Sequence, residues 1–214
     1  MIPYLVPEMS HEQQEALKQN VKAPLVYSKV VIRNWQPFIK LGVHEIYSPA
    51  APYSRVKLDY PVSMGGYQHP RDPDRPIGLH MVYVPTLPGS GLSPREQSRK
   101  GRALLLGTPF EVHEQMIREQ LQGMLGEAGF DHQRDIQAIT VNRWSHGYSY
   151  FLNGLFDDED EATKIIETAR QPIGKIVIAN SDADWSPYAN SAIDQAWRAV
   201  NELAYGKVAA KEGA

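Results

Sequence analysis

The chain has no cysteine among its 214 residues. That absence excludes disulfides, thiolate catalysis, c-type haem attachment and cysteine-held zinc or iron–sulfur centres within it. No apolar run approaches the roughly 20 residues needed to cross a bilayer. The opening MIPYLVPEMSHEQQ lacks the basic and apolar regions of a signal peptide. A soluble protein, cytoplasmic or periplasmic, is therefore expected. Charge of one sign is also missing: 22 basic residues face 25 acidic ones, a net of −3. No field draws in nucleic acid. Neither G-x-G-x-x-G nor G-x-x-x-x-G-K-[ST] occurs, so the chain carries no self-contained dinucleotide or P-loop site. None of the seven histidines is paired at the i, i+4 spacing of helix-borne metal ligands, and no metal site is expected.

What is present is a globular composition, 42% hydrophobic and 22% charged, with mean hydropathy −0.42. Sixteen prolines and sixteen glycines suit short extended pieces and loops better than a helical bundle. A chain of this length buries roughly 70% of its unfolded surface.

Local signals divide the chain. Ser10, with Gln13 three residues on, predicts a capped helix to about Asn20. The run Pro24 to Trp35 reads as a buried strand around Val30, Val31 and Ile32, and residues 46–64 suggest one or two more. Gly65 to Pro76 reads as a polar loop, Ile77 to Val84 as a strand, and Pro88 to Lys100 as a second loop. Thr108-Pro109-Phe110-Glu111 combines an N-cap residue, a first-turn proline and a capping-box glutamate. The helix it opens should stop near Gly126 or Gly129. Ile136 to Trp144 reads as another strand, and the acidic run 157–161 as a solvated loop. Gly174-Lys175 then opens I-V-I-A, a short buried strand of the parallel type. A small polar turn at 180–186 follows. A helix then runs from Pro187 or Tyr188 to about Ala204, with Ala192, Ile193, Ala196, Trp197, Val200 and Leu203 along one side.

That strand–turn–helix is the informative segment. Its turn and helix start can present backbone N–H groups to an anion or a polarised carbonyl. The small residues Ala189, Ser191 and Ala192 leave room for a flat ring against the first helical turn. An ordinary strand–helix unit packed on a sheet is the alternative.

The segment resembles the end of flavin amine oxidases. In that family a strand, an Ala-Gly-Glu/Asp turn and a helix close the cofactor site. Ile178-Ala179-Asn180-Ser181-Asp182 matches the turn, and Tyr188-Ala189-Asn190-Ser191-Ala192-Ile193 matches the helix start. Arg198-Ala199 falls on the family's Arg-Ala. Asn180 stands where glycine is usual, and the carboxylate comes one residue late, so either Ser181 or Asp182 meets the cofactor. The resemblance implies FAD contacts from Asn180, Ser181, Asp182, Ala183, Tyr188, Ala189, Asn190 and Ala192. A second match, T-V-N-R-W-S-H-G-Y-S-Y at 140–150, implies that Trp144 and Tyr148 (or Tyr150) stand with Tyr188 before the flavin. There they would form aromatic walls for an amine. Asp59, Asp72 and Asp74 are candidates to attract a polyamine.

Blocks such as Ile32-Arg33-Asn34-Trp35, Ser63-Met64-Gly65-Gly66-Tyr67 and Ile178-Ala179-Asn180-Ser181-Asp182-Ala183 are similar to spermidine dehydrogenase and its bacterial relatives. The likeness spans Val21 to Leu203. It implies an α+β fold: a mixed or antiparallel substrate-domain sheet with helices, followed by the closing strand and helix of the flavin domain. The implied division is 1–150 for the substrate portion, 151–172 for a connecting loop, 173–205 for the strand and helix, and 206–214 for a tail. The family's amino-terminal strand and Gly-rich loop are not in this sequence. The expectation is therefore a carboxy-terminal subunit sharing FAD with a Gly-rich partner polypeptide, and binding FAD poorly alone. A non-catalytic module derived from the enzyme, or a truncated product, are the alternatives.

Overall fold

Valines and isoleucines at alternate positions set the centre of the structure, a computed structural model that describes residues 1–206. The expected tail, 206–214, lies outside the described residues beyond its first position. In chain order the elements are α1 (Ile2–Leu5), α2 (His11–Gln19), β1 (Lys22–Ile32), α3 (Gln36–Leu41), β2 (Glu45–Tyr47), β3 (Tyr53–Leu58) and β4 (Ile77–Tyr83). Then come α4 (Pro94–Gly107), α5 (Phe110–Leu125), α6 (His132–Asp135), β5 (Ile136–Ser149), α7 (Glu159–Ala169) and α8 (Ala189–Tyr205). The chain divides into two units. One comprises residues 1–23, 89–99 and 147 onward, the other 24–88 and 100–146.

The second unit is built on a five-stranded sheet of order β2-β3-β4-β1-β5. The pairs β2–β3, β3–β4 and β4–β1 are antiparallel, with Val30 opposite Leu79 and Ile32 opposite Ile77. This period-2 pattern puts Val26, Val30, Ile32, Leu79 and Met81 on one face. There they join Ile117, Leu121 and Leu125 of α5 in the core. Tyr53 is buried in the same layer and its hydroxyl shares a 2.9 Å hydrogen bond with Ser28. Burial pushes the Tyr53 phenol up to about 12 against that bond. The expected α+β fold, an antiparallel sheet with helices, is what the chain adopts.

In the first unit α2 packs on α7. Ser10 caps α2 by accepting from the Gln13 N–H at 3.2 Å, as its sequence predicts. The Gln13 side chain, buried, donates to the carbonyls of Ala169 (3.2 Å) and Gln171 (2.7 Å). Val21, Tyr150, Ala162 and Trp185 form a small core of their own.

Four local expectations need correction. The loop expected at Pro88 to Lys100 gives way at Pro94 to α4. Ser93 and Glu96 form a reciprocal capping box there, Glu96 N–H to Ser93 Oγ at 3.3 Å and Ser93 N–H to the Glu96 carboxylate at 3.1 Å. Thr108 does not cap α5; its hydroxyl turns back to the Leu104 carbonyl at 2.7 Å and closes α4. The acidic run 157–161 and the expected connector 151–172 contain α7, whose N-cap is Asp158 with Glu159, Asp160 and Glu161 in the first turn. Carboxylates are favoured at that end of a helix, so the charge that suggested a solvated loop is what starts this one. Last, Lys175 to Ala179 is no strand. Gly174 and Lys175 form a tight turn closed by one bridge between Ile173 and Ile176, and residues 177–179 follow without regular structure. A parallel strand needs a neighbour to fill its ladder, and among the described residues none lies beside it.

Candidate flavin-closing turn

Residues 177–179 lead into Asn180, whose backbone sits at φ 98°, ψ 162°. That combination belongs essentially to glycine, because any Cβ crowds the flanking peptide. Asn180 partly offsets the strain with its own side chain, which accepts from the Ser181 N–H at 2.5 Å and the Ser181 hydroxyl at 3.1 Å. A single 3₁₀ turn follows over Ser181–Asp184. Trp185, in the left-handed region at φ 44° and buried, ends it. Ser186 N–H then closes back on the Ser181 carbonyl at 3.2 Å.

Polar ties lock this turn to the rest of its unit. Lys22 Nζ lies 2.5 Å from Asp182 Oδ1, and Asn20 Nδ2 donates to the Asp182 carbonyl at 3.0 Å. Arg170 reaches Asp184 at 3.1 Å, the Ala183 carbonyl at 3.3 Å and Gln195 Oε1 at 3.3 Å. Arg198 donates to the Ile178 carbonyl. Sequence reasoning missed Lys22, Asn20 and Arg170, since isolated polar residues in a strand or at a helix end carry no spacing signal. Asp182 therefore points its carboxylate at its own lysine, whereas Asn180 is exposed and Ser181 partly so.

Helix α8 begins at Ala189 with Tyr188 as N-cap, and no side chain among the described residues caps it. Its first-turn N–H groups thus keep their hydrogen-bonding capacity, beside exposed Ala189 and Asn190. The Ser186 and Ser191 hydroxyls, 2.6 Å apart, tie the turn to this helix. The structure so brings together two sets of expected residues. Asn180, Ser181, Asp182 and Ala183 share the turn, and Tyr188, Ala189, Asn190 and Ala192 share the helix start.

A cavity of about 140 Å³ lies at the turn, lined by Ile178, Ala179, Asn180, Asp182, Ala183 and Asn20 among others. The buried Oδ1 of Asn20 has no hydrogen-bond partner among the described residues. A dinucleotide needs several times that volume, and a cavity of this size does not enclose a whole one.

The aromatic candidates separate. Tyr188 is exposed and meets Phe151 edge-on at 6.2 Å. Phe151 was not expected at the site. Tyr148 is also exposed, and Trp144 is exposed on β5 in the second unit. Tyr150, the alternative to Tyr148, lies in the interior of its unit. It is buried, donates to the Asp157 carboxylate at 2.6 Å and packs its ring on Trp185. Burial first, then the hydrogen bond and charge of Asp157, raise its phenol pKa. Of the acidic residues expected to attract a polyamine, Asp59 is paired with Lys29 at 2.6 Å. Asp72 and Asp74 are occupied by the Asp74 N–H (3.0 Å) and the Gln36 amide (2.8 Å).

Neither a family model nor a curated protein matches the sequence. The fold does match solved structures. Putrescine oxidase with putrescine bound superposes with a TM-score of 0.56 at 13% identity, over 92% of this chain and 39% of that one. A triple-substituted variant of putrescine oxidase, from work on its cofactor binding, gives 0.58 at 14% identity with the same coverage. The chain thus spans about two fifths of those proteins.

Proposed function

We propose that this chain is the carboxy-terminal portion of a flavin-dependent amine dehydrogenase or oxidase, spermidine dehydrogenase-like in its sequence blocks. It would complete the flavin and substrate site together with a Gly-rich, flavin-binding partner polypeptide. The observation that carries the reading is the backbone of Asn180. It adopts a glycine conformation at the position where the amine-oxidase turn has glycine, in a chain whose fold matches putrescine oxidase.

On this reading Asn180, Ser181 and Ala183 line the edge of FAD. Ala189, Asn190 and Ala192 bring the uncapped start of α8 to its ring. Asp182 then holds the turn through Lys22, and Ser181, the less committed of the two, meets the cofactor. The bound flavin would accept a hydride from the carbon beside the amine nitrogen. The chain's own share is to orient that carbon and to exclude water, with Tyr188 and Tyr148 as aromatic walls. Aromatic faces suit an amine because they stabilise its cation yet tolerate the neutral form. A polyamine-like substrate fits this reading.

A second reading, a non-catalytic module derived from such an enzyme, is favoured by the Lys22–Asp182 ion pair, which withdraws the carboxylate from any ligand. Expression alone and with a Gly-rich partner distinguishes the two. The first reading expects a colourless chain alone and a yellow complex with the partner, bleached by amine in the absence of oxygen. A colourless complex would leave only the second.

A further inference from the structure

The face of the sheet turned away from its core carries more positive charge than it neutralises. Cross-strand register puts Lys57 of β3 opposite His80 of β4, and His80 opposite Lys29 of β1. Side chains alternate along a strand, so this row lies on the face away from Val30, Val56 and Leu79. Glu45 of β2 stands opposite Lys57, and Arg55, two residues from Lys57, shares the same face. Lys29, Arg55 and Lys57 thus meet the carboxylates of Glu45 and Asp59.

Both carboxylates are already engaged. Asp59 holds the Lys29 ammonium at 2.6 Å, and Glu45 binds the Arg55 guanidinium rather than Lys57. Lys57 has no carboxylate in ion-pair reach among the described residues, although it is only 5% exposed. Its ammonium rests on the ring of Tyr60, 3.2 Å from the centroid. A lysine so buried is almost always paired, because a desolvated charge without a counter-ion is costly. The ring returns part of that cost as cation–π attraction and leaves the charge itself unbalanced. Beside Lys57 in the row, the Nδ1 of His80 is buried with no hydrogen-bond partner among the described residues. Burial first, then the charge of Lys29, hold the His80 pKa below 6.5. At neutral pH this imidazole therefore brings hydrogen-bonding capacity and no second charge.

An unbalanced cation and an unpaired ring nitrogen one strand apart suit a ligand with an anionic, hydrogen-bonding group. Neighbouring strands lie about 4.8 Å apart, a gap that the two oxygens of one carboxylate bridge with hydrogen bonds of ordinary length. The surplus is a single charge, so a monoanion balances it, whereas a phosphate at about −1.5 to −2 overshoots. We infer that Lys57 and His80 form a binding site for a small carboxylate on this face of the sheet. Tyr60 holds the Lys57 ammonium in place, and the Tyr27 ring, 5.1 Å from that of His80, supports the imidazole. The site lies within the second unit and is independent of the flavin reading.

The test follows the imidazole nitrogen signals of the full chain, labelled at histidine, as sodium acetate replaces chloride at fixed pH and ionic strength. His80→Gln identifies the His80 signals by their loss. In wild type those signals should shift saturably. Lys57→Met and Lys57→Gln should each weaken acetate binding at least about tenfold, the loss of one charge-assisted hydrogen bond. Neither should lower the thermal midpoint without acetate, because each removes a buried charge that has no counter-ion. Lys164→Met, at an exposed position on α7, should bind acetate as wild type does. No saturable shift in wild type, or equal binding by both Lys57 variants, overturns the site. Inorganic phosphate that binds more tightly than acetate overturns the assignment to a carboxylate.

Discussion

Replacing Asn180 by glycine should stabilise the protein relative to alanine at the same position, although both delete a side chain with two hydrogen bonds. The backbone at φ 98°, ψ 162° costs a non-glycine residue about 1–3 kcal/mol. Against that stand the bonds from Ser181 N–H and Oγ, worth about 0.5–1 kcal/mol at an exposed site. Glycine's extra freedom in the unfolded chain costs about 0.4–1 kcal/mol. The sum runs from about −1 to about +2 kcal/mol, centred on a gain for glycine of about 0.5 kcal/mol, too small to decide the matter alone. Alanine makes the comparison decisive, since Asn180→Ala loses the bonds and keeps the strain. Asn180→Gly should therefore exceed Asn180→Ala by about 1–2 kcal/mol in urea unfolding, with equal m-values. If alanine equals or exceeds glycine, the backbone strain on which the glycine correspondence rests is refuted.

Three further outcomes follow from other parts of the structure. His113 is fully buried with neither ring nitrogen partnered among the described residues, and burial, then the charge of Arg143, lower its pKa below 6.5. Its neutral form is thus favoured in the fold, so its contribution is intact above about pH 6.5 and is lost as pH falls through the lowered value. His113→Leu should remove that acid sensitivity and add about 1–3 kcal/mol, read by urea titrations at pH 5 and pH 8. Gly101→Ala places a Cβ 2.1 Å from the Pro85 carbonyl oxygen and should cost about 3 kcal/mol or more. Gly123→Ala, which meets nothing within 4 Å on α5, should instead gain about 0.5–1 kcal/mol, and thermal melts of the pair check both. Tyr150→Phe takes a donor from the buried Asp157 carboxylate, which keeps Asn153 N–H at 2.9 Å, and should cost about 1.5–3 kcal/mol by chemical denaturation.

Much of the fold was legible where residue chemistry acts locally. Ser10 with Gln13 marked α2, Gly126 and Gly129 marked the end of the α5 region, and alternating Val30, Ile32, Leu79 and Met81 marked the sheet's buried face. Where the reading failed, a stronger non-local or neighbouring effect prevailed. Ser93-Pro94-Arg95-Glu96 carries the same box as Thr108-Pro109-Phe110-Glu111, but the prolines and glycines before it masked the helix. The acidic run at 157–161 looked like a solvated loop because charge density does not reveal which end of a helix it caps. Lys175 to Ala179 has a strand's composition but, among the described residues, no strand beside it, which no local pattern can supply. The α8 stripe was plain in sequence, yet periodicity says only that one side is apolar, not that the polar side faces in. At the site the turn and helix start were readable through the resemblance to flavin amine oxidases. The ties from Lys22 and Arg170, more than 10 residues away in sequence, were not.

The central claim is that these 214 residues close a flavin site they cannot hold alone. The direct measurement is the flavin stoichiometry of the complex purified through a tag on this chain. The account predicts one FAD per copy of this chain in the complex and none in the isolated chain. A stable native complex without flavin, or an isolated chain that binds FAD tightly by itself, would contradict it.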